Sequence, residues 1–149
     1  MQFSEIFILF MLEVRYQMEP IKIYPTRNTP AVLLDPSKGV FKLYGRSSPE
    51  NALQFYESLR STLSTKISAE KMDVRIKMEY FNTSSSKCIY DLLKEIKALK
   101  DKGKEVMVRW YYDEDDEDMY EAGEDYSDLL DLPFKFIEYH PKDQYQKSA

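Results

Sequence analysis

Tyr80-Phe81-Asn82-Thr83-Ser84-Ser85-Ser86-Lys87 is the stretch that decides the fold. Upstream of it, residues 73–81 alternate as a strand does, with Val74, Ile76, Met78 and Tyr80 on one side. Downstream, Ile89, Leu92, Leu93, Ile96 and Leu99 recur at helical spacing, while Lys94, Lys97, Lys100 and Lys102 make the other side basic and Gly103 offers a stop. A strand that passes straight into a helix is the repeating joint of an α/β fold. Four consecutive hydroxyls fill this joint, at a helix N-terminus whose free N–H groups and positive dipole end favour an anion. The residues alone leave two readings open. In one, Asn82, Thr83 or a serine caps the helix and does nothing more. In the other, Thr83 or an adjacent serine carries a phosphate of about −1.5 to −2 charge, with Lys87 one turn further in.

The same alternation extends in both directions. Ile21-Lys22-Ile23-Tyr24 reads as a strand, and residues 31–44 read as a hairpin turning at Asp35-Pro36-Ser37-Lys38-Gly39. Ser48-Pro49-Glu50 reads as a helix start, with Ser48 as cap and Pro49 in the first turn. Ala52, Phe55, Tyr56, Leu59 and Leu63 then form one apolar face. Val106 to Tyr112 is an apolar strand ending in acid. Met119, Ala122, Tyr126, Leu129 and Leu130 predict a third helix, and Phe134 to Tyr139 a last strand. The order β-β-β-α-β-α-β-α-β implies right-handed crossovers and a mixed, mostly parallel sheet. Functional groups in such sheets gather at the C-terminal ends of strands, where Asn82-Thr83 and Asp113 both fall.

With 149 residues and 43% hydrophobic content, one domain with a real core is expected. A net charge of −5 argues against a general nucleic-acid binder. Cys88 is the sole cysteine, so no internal disulfide forms, and the chain suits a reducing, cytoplasmic setting. Residues 1–17 stand apart. Their apolar run Ile6–Leu12 is too short to span a bilayer and lacks signal-peptide flanks. They are expected to be an extension ahead of a start at Met18. The folded domain is then expected at 18–140, with a frayed polar tail at 141–149.

Asp113-Glu114-Asp115-Asp116-Glu117-Asp118 opens a stretch with no basic residue up to position 131. Its blandest reading is a solvated loop and helix start. A calcium hand fits poorly, because Asp118 stands where the turn needs glycine. A docking face for a basic partner is a third reading. Catalysis has little support: His140 is the only histidine, nothing near the hydroxyls can act as base, and no phosphate-cradling glycine loop exists.

Four segments together resemble the SiaC family of bacterial regulatory phosphoproteins. They are Thr26-Arg27-Asn28-Thr29-Pro30, the run from Gly45 to Ala52, the run from Glu79 to Lys87, and Trp110-Tyr111-Tyr112 through Asp118-Met119 with Glu121-Ala122-Gly123-Glu124. The resemblance covers about residues 19–139. It implies a single STAS-like domain and a non-enzymatic partner switch without cofactor or metal. It further implies a dedicated ATP-dependent serine/threonine kinase, a metal-dependent serine/threonine phosphatase, and an effector that in one branch is a diguanylate cyclase. No nucleic acid and no membrane enters. By this resemblance Thr83 is the phosphorylated residue. Asn82, Ser84, Ser85 and Lys87 would surround it, and Arg46, Ser48, Glu50 and Asn51 would line the partner face. The contrasting class is an acidic metal- or anion-binding domain with no switch.

Overall fold

A computed structural model describes residues 2–141. Ten elements follow one another: α1 (Phe3–Met18), β1 (Ile21–Ile23), β2 (Ala31–Asp35), β3 (Val40–Ser47), α2 (Ala52–Thr65), β4 (Lys71–Phe81), α3 (Thr83–Asp101), β5 (Glu105–Asp113), α4 (Glu117–Leu130) and β6 (Phe134–Tyr139). Apart from α1, this is the order expected from the hydrophobic pattern.

The six strands form one sheet in chain order, β1-β2-β3-β4-β5-β6. β1, β2 and β3 pair antiparallel, and β3 to β6 pair parallel. The β2–β3 turn closes because the Asp35 carboxylate accepts from the backbone of Ser37 and Lys38. Gly39 takes φ +70° there, and a side chain at that position would collide with the Lys71 carbonyl oxygen.

Each parallel crossover moves one place in the same direction. Right-handed connections therefore put α2, α3 and α4 on one face of the sheet. The core lies between, with Phe41, Leu43, Val74, Ile76, Val108 and Trp110 meeting Leu59, Leu63, Ile89, Leu93 and Ile96, all at most 1% exposed. Each such aliphatic side chain is worth about 1.5–3 kcal/mol of burial. The opposite face carries none of these three helices, and it mixes cations such as Lys42, Arg75 and Arg109 with Leu33, Tyr44 and Met107.

Three expectations are corrected. Tyr80 does not continue the buried side of β4 but is 43% exposed. The β3–β4 register slips between Gly45 and Arg46, so that Gly45 faces Met78 while Arg46 faces Tyr80. One extra residue, Glu79, reverses the alternation, and Phe81 turns toward the core instead. Ser48 does not cap α2. Asn51 does, accepting from Gln54 N at 3.1 Å, and Pro49 and Glu50 precede the helix. Leu129 is 72% exposed, whereas Gly123, one helical face away, is buried.

The expected N-terminal extension is helical as α1, and its run Ile6 to Leu12 is exposed. Among the described residues no helix is long and apolar enough to cross a membrane. Of the expected tail, residues 142–149 lie outside the described residues.

Candidate functional site: a rim of three helix N-termini

Parallel pairing brings the C-terminal ends of β3, β4 and β5 to one edge of the sheet. α2, α3 and α4 all begin there. Each has a side-chain cap: Asn51 for α2, Asn82 accepting from Ser85 N at 2.9 Å for α3, and Asp116 accepting from Met119 N at 3.0 Å for α4. Short bonds stitch the rim together. Asn82 N donates to Ser47 O at 3.0 Å, and Ser48 N donates to Asn28 O at 2.8 Å. The loop around Asn28 is closed by Thr26 and Thr29, whose hydroxyls are 2.6 Å apart. All four segments singled out in the sequence thus meet on this one rim.

The four hydroxyls of the 83–86 cluster divide sharply. Thr83 and Ser84 are exposed in the first turn of α3. Ser85 is fully buried. It accepts from the Ser47 hydroxyl at 2.8 Å, and Ser47 in turn lies 2.6 Å from the Tyr56 hydroxyl. Ser86 is tied to Tyr126: their hydroxyls are 2.8 Å apart, and Tyr126 also donates to the Ser86 carbonyl at 2.8 Å. Asn82 satisfies the N–H groups of Ser85 and Ser86, by side chain and by carbonyl. The N–H groups of Thr83 and Ser84 have no helical acceptor, as first-turn donors never do. No acidic residue lies in the first turn of this 19-residue helix, so its positive end is uncompensated.

Arg46, Ser48, Glu50 and Asn51 stand beside this turn, because Ser47 on β3 pairs with Phe81 on β4. Arg46 is exposed, lies 3.9 Å from Glu79, and sits over the Tyr80 ring at 5.2 Å. Lys87, Glu50 and Asn51 are exposed, and Ser48 is half-buried.

Ser47, Tyr56 and Tyr126 are contributors that sequence reasoning passed over. Their signals were present. Ser47 continues the inward set Phe41, Leu43, Gly45 of β3, and Ser85 extends the buried face of Cys88, Ile89 and Leu92 backward by one turn. Trp110, beneath the rim, donates from Nε1 to the Met119 carbonyl at 2.9 Å and so fixes the start of α4.

Burial pushes the Tyr56 hydroxyl up to about 12, against a weaker opposing effect from its bond to Ser47. Burial likewise raises Tyr126 and the Cys88 thiol, which favours the unreactive protonated thiol. The sole histidine, His140, engages Glu114 at 2.7 Å. In the acidic run, Asp113 accepts from Asp115 N and Asp116 caps α4. Among the described residues no three His, Cys, Asp or Glu side chains converge as a metal site would require.

Fold and rim together define a single α/β domain of STAS-like architecture, with its exposed chemistry at one edge. The family model for SiaC family regulatory phosphoproteins matches residues 23–139, and the chain belongs to that family. A protein of Pseudomonas aeruginosa strain UCBPP-PA14, described as uncharacterized, is 27% identical over 119 residues, 78% of this chain and 94% of that protein. The crystal structure of apo-SiaC from Pseudomonas aeruginosa superposes with a TM-score of 0.72 at 25% identity, over 80% of this chain and 99% of that one. SiaC in the crystal structure of the diguanylate cyclase SiaD with its activator SiaC, also from Pseudomonas aeruginosa, gives 0.74 at 26% identity, over 80% and 99%.

Proposed function

We propose that this protein is a non-enzymatic signalling switch in which phosphate on Thr83 decides what docks at the rim. The observation that carries the choice of Thr83 is accessibility: it is exposed at the helix mouth, whereas Ser85 is buried and Ser86 is bonded to Tyr126. Ser84 shares that exposure, and the resemblance to the family selects Thr83 between the two. A phosphate on Thr83 meets unfilled N–H donors and the positive end of α3, an interaction of about 0.3–1 kcal/mol at an exposed site. Lys87, four residues on, adds a cation. The fold survives the modification, while the rim gains charge beside Glu79, Asp113 and Asp116.

The writer of the phosphate is an ATP-dependent serine/threonine kinase, and the eraser a metal-dependent serine/threonine phosphatase. The effector is a diguanylate cyclase, in keeping with the partner named for the similar Pseudomonas protein. Unphosphorylated rim binds effector; phosphorylated rim repels it by charge and bulk. The switching unit is residues 18–140, with residues 1–17 as an extension. Phosphosite mapping after incubation with the cell's own kinase and ATP tests the assignment. Phosphate on Thr83, abolished in Thr83→Ala and retained in Ser84→Ala, is expected. Phosphate confined to Ser84, or to a residue off the rim, contradicts it.

A further inference from the structure

We propose that the face of the sheet opposite α2, α3 and α4 is a second docking surface, built for an acidic helix of a partner protein. Cross-strand register carries the proposal. Lys22 pairs with Leu33, Leu33 with Lys42, Lys42 with Arg75, Arg75 with Arg109, and Arg109 with Lys135. One transverse row thus crosses all six strands, and five of its six residues are cationic. The opposite, helix-bearing face of the same strands is apolar core, so these side chains share the open side.

Like charges directly opposite on neighbouring strands are disfavoured. Among the described residues the row's ion-pair partner is Asp73, which stands in the neighbouring row with Val40 and Met107. Asp73 receives Arg75 at 3.0 Å and Arg109 at 2.6 Å, which leaves most of the positive charge uncompensated. In a chain of net charge −5, that concentration calls for an external anion. The next row toward the rim is Tyr44, Lys77, Tyr111 and Ile137, an amphipathic shelf beside the cations.

Dimensions point to a helix as occupant. Strands lie about 4.8 Å apart, so the row is about 24 Å long. Carboxylates at i and i+4 of a helix are about 5–6 Å apart, and a helix of about 16 residues spans the same length. A helix laid across the strands can set acids against the cations and an apolar edge against Tyr44, Tyr111 and Ile137. A nucleic-acid strand is the other polyanion that such a row would attract, and the oligonucleotide arm of the test below separates the two.

The test is fluorescence anisotropy at low salt with three labelled probes. They are a helical peptide with glutamates at i and i+4, its Glu→Gln counterpart, and a single-stranded oligonucleotide of equal charge. The Glu peptide should bind, and Lys42→Glu with Lys135→Glu should weaken it by about tenfold or more at unchanged melting temperature. Neither residue holds Asp73, so the fold keeps its internal ion pairs. Lys94→Glu with Lys100→Glu, on α3, changes net charge equally and should leave binding intact. An equal loss in that control, equal binding of the Gln peptide, tighter binding of the oligonucleotide, or no binding of the Glu peptide would overturn the proposal.

Discussion

Ser47 on β3 donates a hydrogen bond to Ser85 on α3 at 2.8 Å, across 38 positions of sequence and with both residues fully buried. Tyr56 of α2 completes the cluster through Ser47. Two helix N-termini and the strand end between them are thereby held in one register, directly beneath the exposed Thr83. Ser47 is the hub, and each buried side-chain polar atom among the described residues has a partner.

The hub predicts an order of stabilities. Ser85→Ala removes one partner of Ser47 and should cost about 1–2 kcal/mol. Ser47→Ala takes the central hydroxyl from both Tyr56 and Ser85, which keep only their contact with each other, and should cost about 2–3 kcal/mol. Urea denaturation of the two variants checks this. Ser85→Ala proving the more damaging would remove Ser47 from the centre of the cluster.

Capping gives a second comparison. Asn82→Ala and Asn51→Ala should each cost about 1 kcal/mol, and Asn82→Asp should restore stability because its carboxylate accepts the same N–H. Ser48→Ala should be within about 0.5 kcal/mol of wild type, since the bond from Ser48 to Asn28 is made by its backbone N–H, which alanine keeps. Thermal melts on the four variants distinguish a cap at Asn51 from one at Ser48.

Tyr56 predicts an alkaline limit. Its hydroxyl ionises near 10 in the unfolded chain and is pushed up to about 12 in the fold. Stability from this group is therefore complete below pH 10 and falls as pH rises through 12. The slope is about 1.4 kcal/mol per pH unit across that window. Denaturation measured on both sides of pH 10 should show that loss in wild type and less of it in Tyr56→Phe. An identical alkaline slope in both proteins would mean that Tyr56 is not the group responsible.

Gly123 predicts a packing limit. A Cβ there would lie 2.6 Å from Trp110 and 2.9 Å from Phe136. Alanine is the better helix former by about 1 kcal/mol, yet overpacking of this kind costs about 1–3 kcal/mol, so Gly123→Ala should be neutral to destabilising. The variant should also shift the Trp110 fluorescence. A clear gain in melting temperature would show that α4 can move off the sheet freely.

Much of this fold was legible because hydrophobic periodicity carries it. The hairpin, the three crossover helices and the last strand all follow from which residues seek the core. What escaped were features set by single hydrogen bonds or by one-residue slips. The bulge opposite Gly45 turns Tyr80 outward, and no local pattern announces a register shift between strands distant in sequence. Asn51 rather than Ser48 caps α2 because the helix starts at Ala52, while Ser48 lies in the loop with its N–H on Asn28, a contact made only when the loops meet. For the rim, the hydroxyl run was visible, but its division was not. Ser84 and Ser85 are chemically identical, and only the helical phase relative to Cys88 and Ile89 sends one outward and the other inward. The cationic row had no counterpart in the linear sequence at all, since its members come from all but one of the six strands and meet only through pairing.

The most direct test of the proposed switch is a binding titration between this protein and its proposed effector, a diguanylate cyclase of its own cell, before and after stoichiometric phosphorylation of Thr83. A coupling of about 3 kcal/mol predicts affinity weaker by about two orders of magnitude for the phosphorylated form, with Thr83→Ala binding as the unmodified protein does. Equal affinity for the two forms, with the phosphate confirmed on Thr83, would contradict the switch.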